Sequence, residues 1–371
     1  MILTTAQVDE FPAVSSLDIE KALLELKNST TTLMFHAEMI PPITDSVGDD
    51  VQQSLPPLAP KGPLTSYDTF LQSRPPSFET CAVAEILSLA HLAPDLQLHI
   101  VHLSAIEAIP MLRKARADGI KITAETCFHY LALASEGIQE GDTRHKCCPP
   151  IRSQSNQDGL WEELLQDTAD GVIQTVVSDH SPCTPEIKLL PPHLAPKKTG
   201  ESSETEVQGP EEKGDFFSAW GGISSVGLGL PILWTEGTKR NPDFSVEEIV
   251  RWCCRNTAKQ VGLEKSKGDI SVGFDADIVV FDDEAEFLVC NSRFLLSSLY
   301  LRMGCGLTVM QVEPNTMLFR NKVSPYENKT LRGVVRETWL RGQRVFSRTE
   351  GFQEKSGPQG KLLLEPRKMS A

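Results

Sequence analysis

No apolar run in these 371 residues is long enough to cross a bilayer: stretches such as "ISSVGLGLPILW" fall short of the roughly 20 residues required. A basic excess is missing too. With 36 basic and 50 acidic residues the formal net charge is −14, which argues against nucleic acid or an anionic membrane as partner. The opening "MILTTAQVDEF" has no basic segment ahead of an apolar one, so neither a signal nor a transit peptide is expected. The nine cysteines have no regular spacing, and the adjacent pairs Cys147–Cys148 and Cys253–Cys254 suit neither chelation nor structural disulfides. They read as reduced thiols of a cytoplasmic protein. A composition of 40% hydrophobic and 23% charged residues is that of a globular chain. Its length allows one large domain of roughly 250 residues plus a smaller one, or two mid-sized domains.

The first two-thirds of the chain alternates helical and β texture. "SSLDIEKALLELKN" places Ile19, Leu23 and Leu26 on one helical face behind a Ser15/Asp18 capping box, and leads into the β-rich "TTLMFHAE". "FETCAVAEILSLAHLAP" leads into "LQLHIVHLS", and a helix capped by Ser104 and Glu107 runs into "IKITAETCFHYL". "LWEELLQDTAD" is followed by "GVIQTVVSDHSP", where Pro182 has no amide hydrogen with which to extend a strand pairing. Such repeats imply parallel strands with crossover helices, and chemistry that collects at the C-terminal strand ends. Two long loops, 39–66 and 184–214, leave that side, the second a low-complexity insertion. A helix "SVEEIVRWCCRNTAKQVGL" is capped by Ser245 and Glu248. Beyond it "GDISVGFDADIVVFD" and "LRGVVRETWLRGQRVF" read as short β runs. The expected division is a barrel portion over 1–265, a small β-rich module over 266–350 and a polar tail over 351–371.

His36, His102 and Asp179 each fall at the C-terminal end of an expected strand. A carboxylate at the mouth of a buried strand needs compensation, and a borderline metal such as zinc, whose ligands are imidazole and carboxylate, would supply it. Taken alone, a histidine at a strand end is more often a hydrogen-bonded core residue. His99 and His102 lie three apart on one strand and face opposite ways, so at most one points to the centre. His91 and His193 read as solvated; His129 and His145 stay open.

The segments "LMFHAE", "HIVHLS", "AETCFHYL", "KCCPPIR", "VVSDHSPCTP", "GDFFSAWGGISSVGLGLP" and "GFDADIVVFD" together resemble the allantoinases, of the cyclic amidohydrolase group that also holds dihydroorotases and dihydropyrimidinases. The resemblance runs from about residue 7 to 346. It implies an α/β fold: a (β/α)₈ TIM-type barrel with an appended small β-sandwich, and two divalent metals, zinc in the family, at the C-terminal mouth. Position by position, it makes His36 and His102 ligands of one metal. Asp179 becomes a ligand of the other and the group that takes a proton from the bridging water. Cys148 with the "PPIR" after it, and Gly221 with Gly222, fall on the substrate-facing backbone. The implied reaction opens the hydantoin ring of allantoin to allantoate, in a homo-oligomer of the cytoplasm.

Two family features have no counterpart. No His-x-His pair occurs in the sequence, and the lysine that bridges both metals as a carbamate would precede "TAQVDEFPAV". The expectation is therefore a partial barrel lacking its N-terminal strands, a chain that alone holds at most one zinc weakly and leaves allantoin intact. Two alternatives stay open: a metal-free relative serving as an oligomerisation scaffold, and a hydrolase of the dihydropyrimidinase or dihydroorotase type.

Overall fold

The computed structural model describes residues 13–41, 59–166, 171–194, 213–290 and 313–353, with 357 and 359–363 beyond them. Much of the two expected long loops (42–58 and 195–212) and the end of the polar tail (364–371) lies outside the described residues. The chain divides into two compact units, Met1–Ser224 with Arg367–Ala371, and Ser225–Pro366.

The first unit is built on four parallel strands in sequential order: β1 (Thr32–Phe35), β2 (Gln97–Ile100), β3 (Ile122–Cys127) and β4 (Ile173–Val177). Parallel neighbours need crossovers, which helices supply between successive strands. Helix α1 (Ser16–Leu26) precedes β1, with the Ser15/Asp18 capping box formed as the sequence predicts and Ile19 and Leu23 buried. Helices α2 (Tyr67–Gln72) and α3 (Ser77–Leu89) precede β2, and α3 buries Phe78, Ala82, Val83 and Ile86. Helix α4 (Ile109–Ala117) crosses to β3. Helices α5 (Phe128–Ala132) and α6 (Gln154–Leu165) cross to β4, and Trp161 of α6 donates its indole N–H to the Leu131 carbonyl at 2.9 Å.

One expected cap is replaced. Ser104 and Glu107 form no capping box: Glu79, from α3, accepts the backbone N–H groups of Ser104 at 2.8 Å and Ala105 at 3.1 Å, while the Ser104 hydroxyl donates to the Pro150 carbonyl. A buried carboxylate from a neighbouring helix satisfies the donors that a local side chain would otherwise take.

After β4 the chain makes one further strand-type contact. His180 forms an isolated parallel bridge with Ile223, and the Ser181 amide donates to the Ile223 carbonyl at 3.1 Å, immediately before Pro182 ends the pairing.

The second unit carries α7 (Gly229–Arg240) and a helix that begins at the Ser245/Glu248 capping box as α8 (Val246–Val250). That helix then widens into a π turn over Arg251–Arg255 and resumes as α9 (Asn256–Gln260), so the single continuous helix read from the sequence is interrupted. The "GDISV" stretch is turn, with Ile270 84% exposed, and the β structure starts later, at Ile278. Five strands form one sheet in the order β6 (Glu313–Thr316), β5 (Ile278–Cys290), β7 (Thr330–Leu340), β8 (Gln343–Ser347) and β9 (Gly351–Phe352). β5 and β7 pair antiparallel along most of their length. β7 turns into β8 through Arg341 and Gly342, both at positive φ, the backbone of a two-residue hairpin turn.

Candidate active site at the C-terminal strand ends

Parallel strands bring their C-terminal ends to one edge, and His36, His102, Cys127 and Asp179 all sit there, at or within two residues of the ends of β1 to β4. His36 Nδ1 lies 3.0 Å from His102 Nε2, the rings meeting edge to face with centroids 4.6 Å apart. His36 Nε2 lies 2.9 Å from Glu38 Oε2. Behind this pair runs a buried charged layer. Arg74 donates to Glu38 at 3.0 Å and Arg152 donates to Glu79 at 2.7 Å. Burial alone would raise the Glu38 carboxyl, but Arg74 and the His36 hydrogen bond hold it down to about 2. Arg152, within the "PPIR" segment, thus spends its side chain on Glu79 in the interior.

His102 and Asp179 share a backbone property that no sequence pattern announces. Both have positive φ, 39° for His102 and 43° for Asp179, a left-handed conformation uncommon for residues other than glycine. Strain of this kind persists where the surrounding structure imposes it, and it concentrates at functional sites. Burial and the neighbouring His36 lower the His102 imidazole to about 3, and its Nδ1 is buried with no hydrogen-bond partner among the described residues. Asp179 meets solvent, yet the protein crowded round it and the Glu125 carboxylate raise its carboxyl to about 6, against the opposing pull of His36.

The structure brings two further donors to Asp179. The ligand atoms of Cys127, His129 and Asp179 all lie within 4.8 Å of one another. His129 is fully buried, and neither of its ring nitrogens has a hydrogen-bond partner among the described residues. Its burial lowers the imidazole to about 3. Burial, reinforced by Asp179, pushes the Cys127 thiol up. The open question over His129 is answered by position: it belongs to the site edge. His99 faces Thr123 at 2.8 Å and Glu125 at 3.1 Å, and His145 lies 3.3 Å from Asp142. His91 and His193 are exposed.

Gly222 needs to be glycine. Its φ is +148°, and a Cβ there would sit 2.4 Å from the Ser181 carbonyl oxygen. Gly221 is under no such demand, since its Cβ would meet Lys146 Cε at an ordinary 3.9 Å. Two buried lysines hold this segment by its carbonyls: Lys146 Nζ donates to Phe217 and Ala219, and Lys188 Nζ donates to Thr143, Trp220 and Gly222. Burial lowers both ammonium groups to about 8. Cys148 is half-buried, its thiol raised by burial although Arg74 stands near.

Residues 223–346 match the profile of the Amidohydrolase family. The chain is 42% identical to an allantoinase of Saccharomyces cerevisiae over 99% of its own length and 65% of that protein's. The likeness to amidohydrolases thus extends over nearly the whole of this chain. An allantoinase of Streptomyces avermitilis is 36% identical over 97% of this chain and 65% of its own length. Among solved structures, D-hydantoinase (dihydropyrimidinase) from Thermus sp. superposes with a TM-score of 0.68 at 21% identity, over 96% of this chain and 65% of that one. L-hydantoinase from Arthrobacter aurescens does so with a TM-score of 0.66, over 93% and 63%. The chain thus spans about two-thirds of the length of the relatives it matches. The amidohydrolase fold agrees with the parallel α/β sheet of the first unit. Among the described residues no helix is long and apolar enough to cross a membrane.

Metal binding is typical of this family. The donor chemistry at the strand ends fits a divalent cation: imidazole, carboxylate and thiol lie together, and the unpartnered nitrogens of His102 and His129 are what a metal would satisfy. Sequence reasoning missed the Glu38–Arg74 layer, although a carboxylate two residues after His36 is a signal for a group that orients an imidazole.

Proposed function

We propose that this chain carries part of the active centre of a metal-dependent cyclic-amide hydrolase, with allantoin as substrate and allantoate as product. The observation that carries this reading is the meeting of His36 and His102 at one sheet edge with Asp179, His102 and Asp179 both on strained backbone. In this reading β1 to β4 are four strands of a (β/α)₈ barrel within residues 1–265, and residues 266–350 contribute a small β-sandwich. The 42% identity to an allantoinase favours allantoin over other cyclic amides.

Zinc, when bound, would activate water and polarise the scissile carbonyl. His36 and His102 would hold the metal, with Glu38 fixing the His36 ring through its other nitrogen. Asp179, open to solvent at the mouth, would ligate and carry a proton from water to the departing ring nitrogen. Gly222, held by Lys188, would present backbone to the substrate beside Gly221 and Cys148. A cytoplasmic homo-oligomer completes the reading.

The test mixes the zinc-loaded chain with the part of the S. cerevisiae protein that it does not span. Allantoate formed by the mixture, and lost with Asp179→Asn, is the expected result. Folded, metal-loaded mixtures that leave allantoin untouched overturn the reading, and turnover of dihydropyrimidines alone would reassign the substrate.

A further inference from the structure

We propose that the ends of β3 and β4 form a cation site of their own, in which Cys127 Sγ, a ring nitrogen of His129 and an Asp179 oxygen bind a zinc-class ion. The inference goes beyond the ring-opening reading, which makes no use of Cys127 or His129.

The register of the sheet builds the site. Thr123, Glu125 and Cys127 alternate onto one face of β3, and Cys127 pairs in register with Val177, two residues before Asp179. His129 follows on the first turn of α5, two residues beyond Cys127. The three ligand atoms lie within 4.8 Å of one another, a separation that a tetrahedral ion with bonds of roughly 2.0–2.3 Å closes with small side-chain rotations.

A second observation points independently to a ligand. His129 is 0% exposed, and both Nδ1 and Nε2 lack a hydrogen-bond partner among the described residues. An imidazole buried with neither nitrogen paired is costly, and histidines in a settled core rarely stand so. A cation removes that cost at one nitrogen. It also neutralises a carboxylate that has no cationic partner within ion-pair distance among the described residues, and Asp179, the exposed member, is the side from which an ion enters. On binding, the Cys127 thiol releases its proton to solvent, His129 enters neutral and Asp179 ionised, so the apparent affinity rises with pH.

Thiolate ligation separates this site from the His36–His102 pair, which offers no sulfur. Cobalt(II) added to the metal-free full chain should produce a thiolate-to-cobalt charge-transfer band. Cys127→Ser should abolish the band, and His129→Gln should weaken cobalt binding by at least about tenfold. His36→Asn should leave the band in place, whether or not it abolishes allantoin turnover, so the two readings fail separately. Because a buried substitution can unfold the chain, X-ray absorption of the zinc-loaded wild-type protein is the companion measurement. One sulfur neighbour at about 2.3 Å is expected. A shell of nitrogen and oxygen alone, the absence of a band in the wild type, or a band that survives Cys127→Ser in folded protein would overturn the site.

Discussion

The two sides of one sheet edge are built on opposite principles. On the β1 side each buried charge meets its opposite: Glu38 with Arg74, Glu79 with Arg152. On the β3–β4 side both ring nitrogens of His129 are unpartnered among the described residues, and Asp179 stands with its carboxyl raised beside another carboxylate. A paired layer resists loss of either member, because the survivor is left as an uncompensated buried charge. An unpaired cluster contributes little to folding and keeps its donors available, which is the pattern of a site. The edge is thus half support and half reactive surface.

The largest expected effect breaks the paired half. Arg152→Ala leaves Glu79 buried and stripped of its guanidinium, and should cost about 3–5 kcal/mol in urea denaturation. An unchanged midpoint would show that the layer holds nothing together.

Next comes the unpaired half. Asp179→Asn keeps the shape of the side chain but removes its charge and its capacity to accept a proton. In the zinc-loaded, fragment-complemented protein, turnover should fall at least about a hundredfold. Circular dichroism then counts the folded fraction, and near-normal turnover by folded variant would return Asp179 to a purely structural role.

His129→Phe sharpens the contrast in the other direction. Replacing an unpartnered buried imidazole by a hydrocarbon ring should raise the stability of the metal-free chain by about 1 kcal/mol, where a substitution in the paired layer lowers it. A loss of stability would mean that His129 has a structural partner after all.

The smallest test uses pH. Asp142 accepts from Arg144 at 2.7 Å and lies 3.3 Å from His145. Burial would raise its carboxyl, but these partners hold it below its ordinary 3.8. Its contribution is therefore present above pH 3.8 and lost as pH falls below that value, where the unfolded chain takes up a proton first. Asp142→Asn should be the less stable form at neutral pH, with the difference closing in acid. A difference that stays constant across the titration would discard the ionic account.

What the sequence made legible was local or periodic. The strand ends at His36, His102 and Asp179 follow from short β runs between helical patterns, and the caps at Ser15 and Ser245 follow from side chains three residues away. The missed features join residues far apart in the chain. Glu38 finds Arg74 36 positions on, and Glu79 reaches Ser104 25 positions on, displacing the cap that Glu107 promised. His129 was undecided because its burial and lack of partners are properties of the packed chain, as are the left-handed backbones of His102 and Asp179. The family resemblance supplied roles for residues; it did not place Cys127 and His129 beside Asp179.

The lysines that grip the glycine segment also make a clock. Acylating reagents attack free amines, and the Lys188 amine is enclosed among the carbonyls of Thr143, Trp220 and Gly222. It reacts on the occasions when the segment lifts and water enters. The ratio of Lys188 labelling to that of an exposed lysine such as Lys114 therefore reports how often the glycine backbone leaves its place. A substrate or inhibitor resting on that backbone would slow the clock, giving a readout of occupancy that needs no turnover.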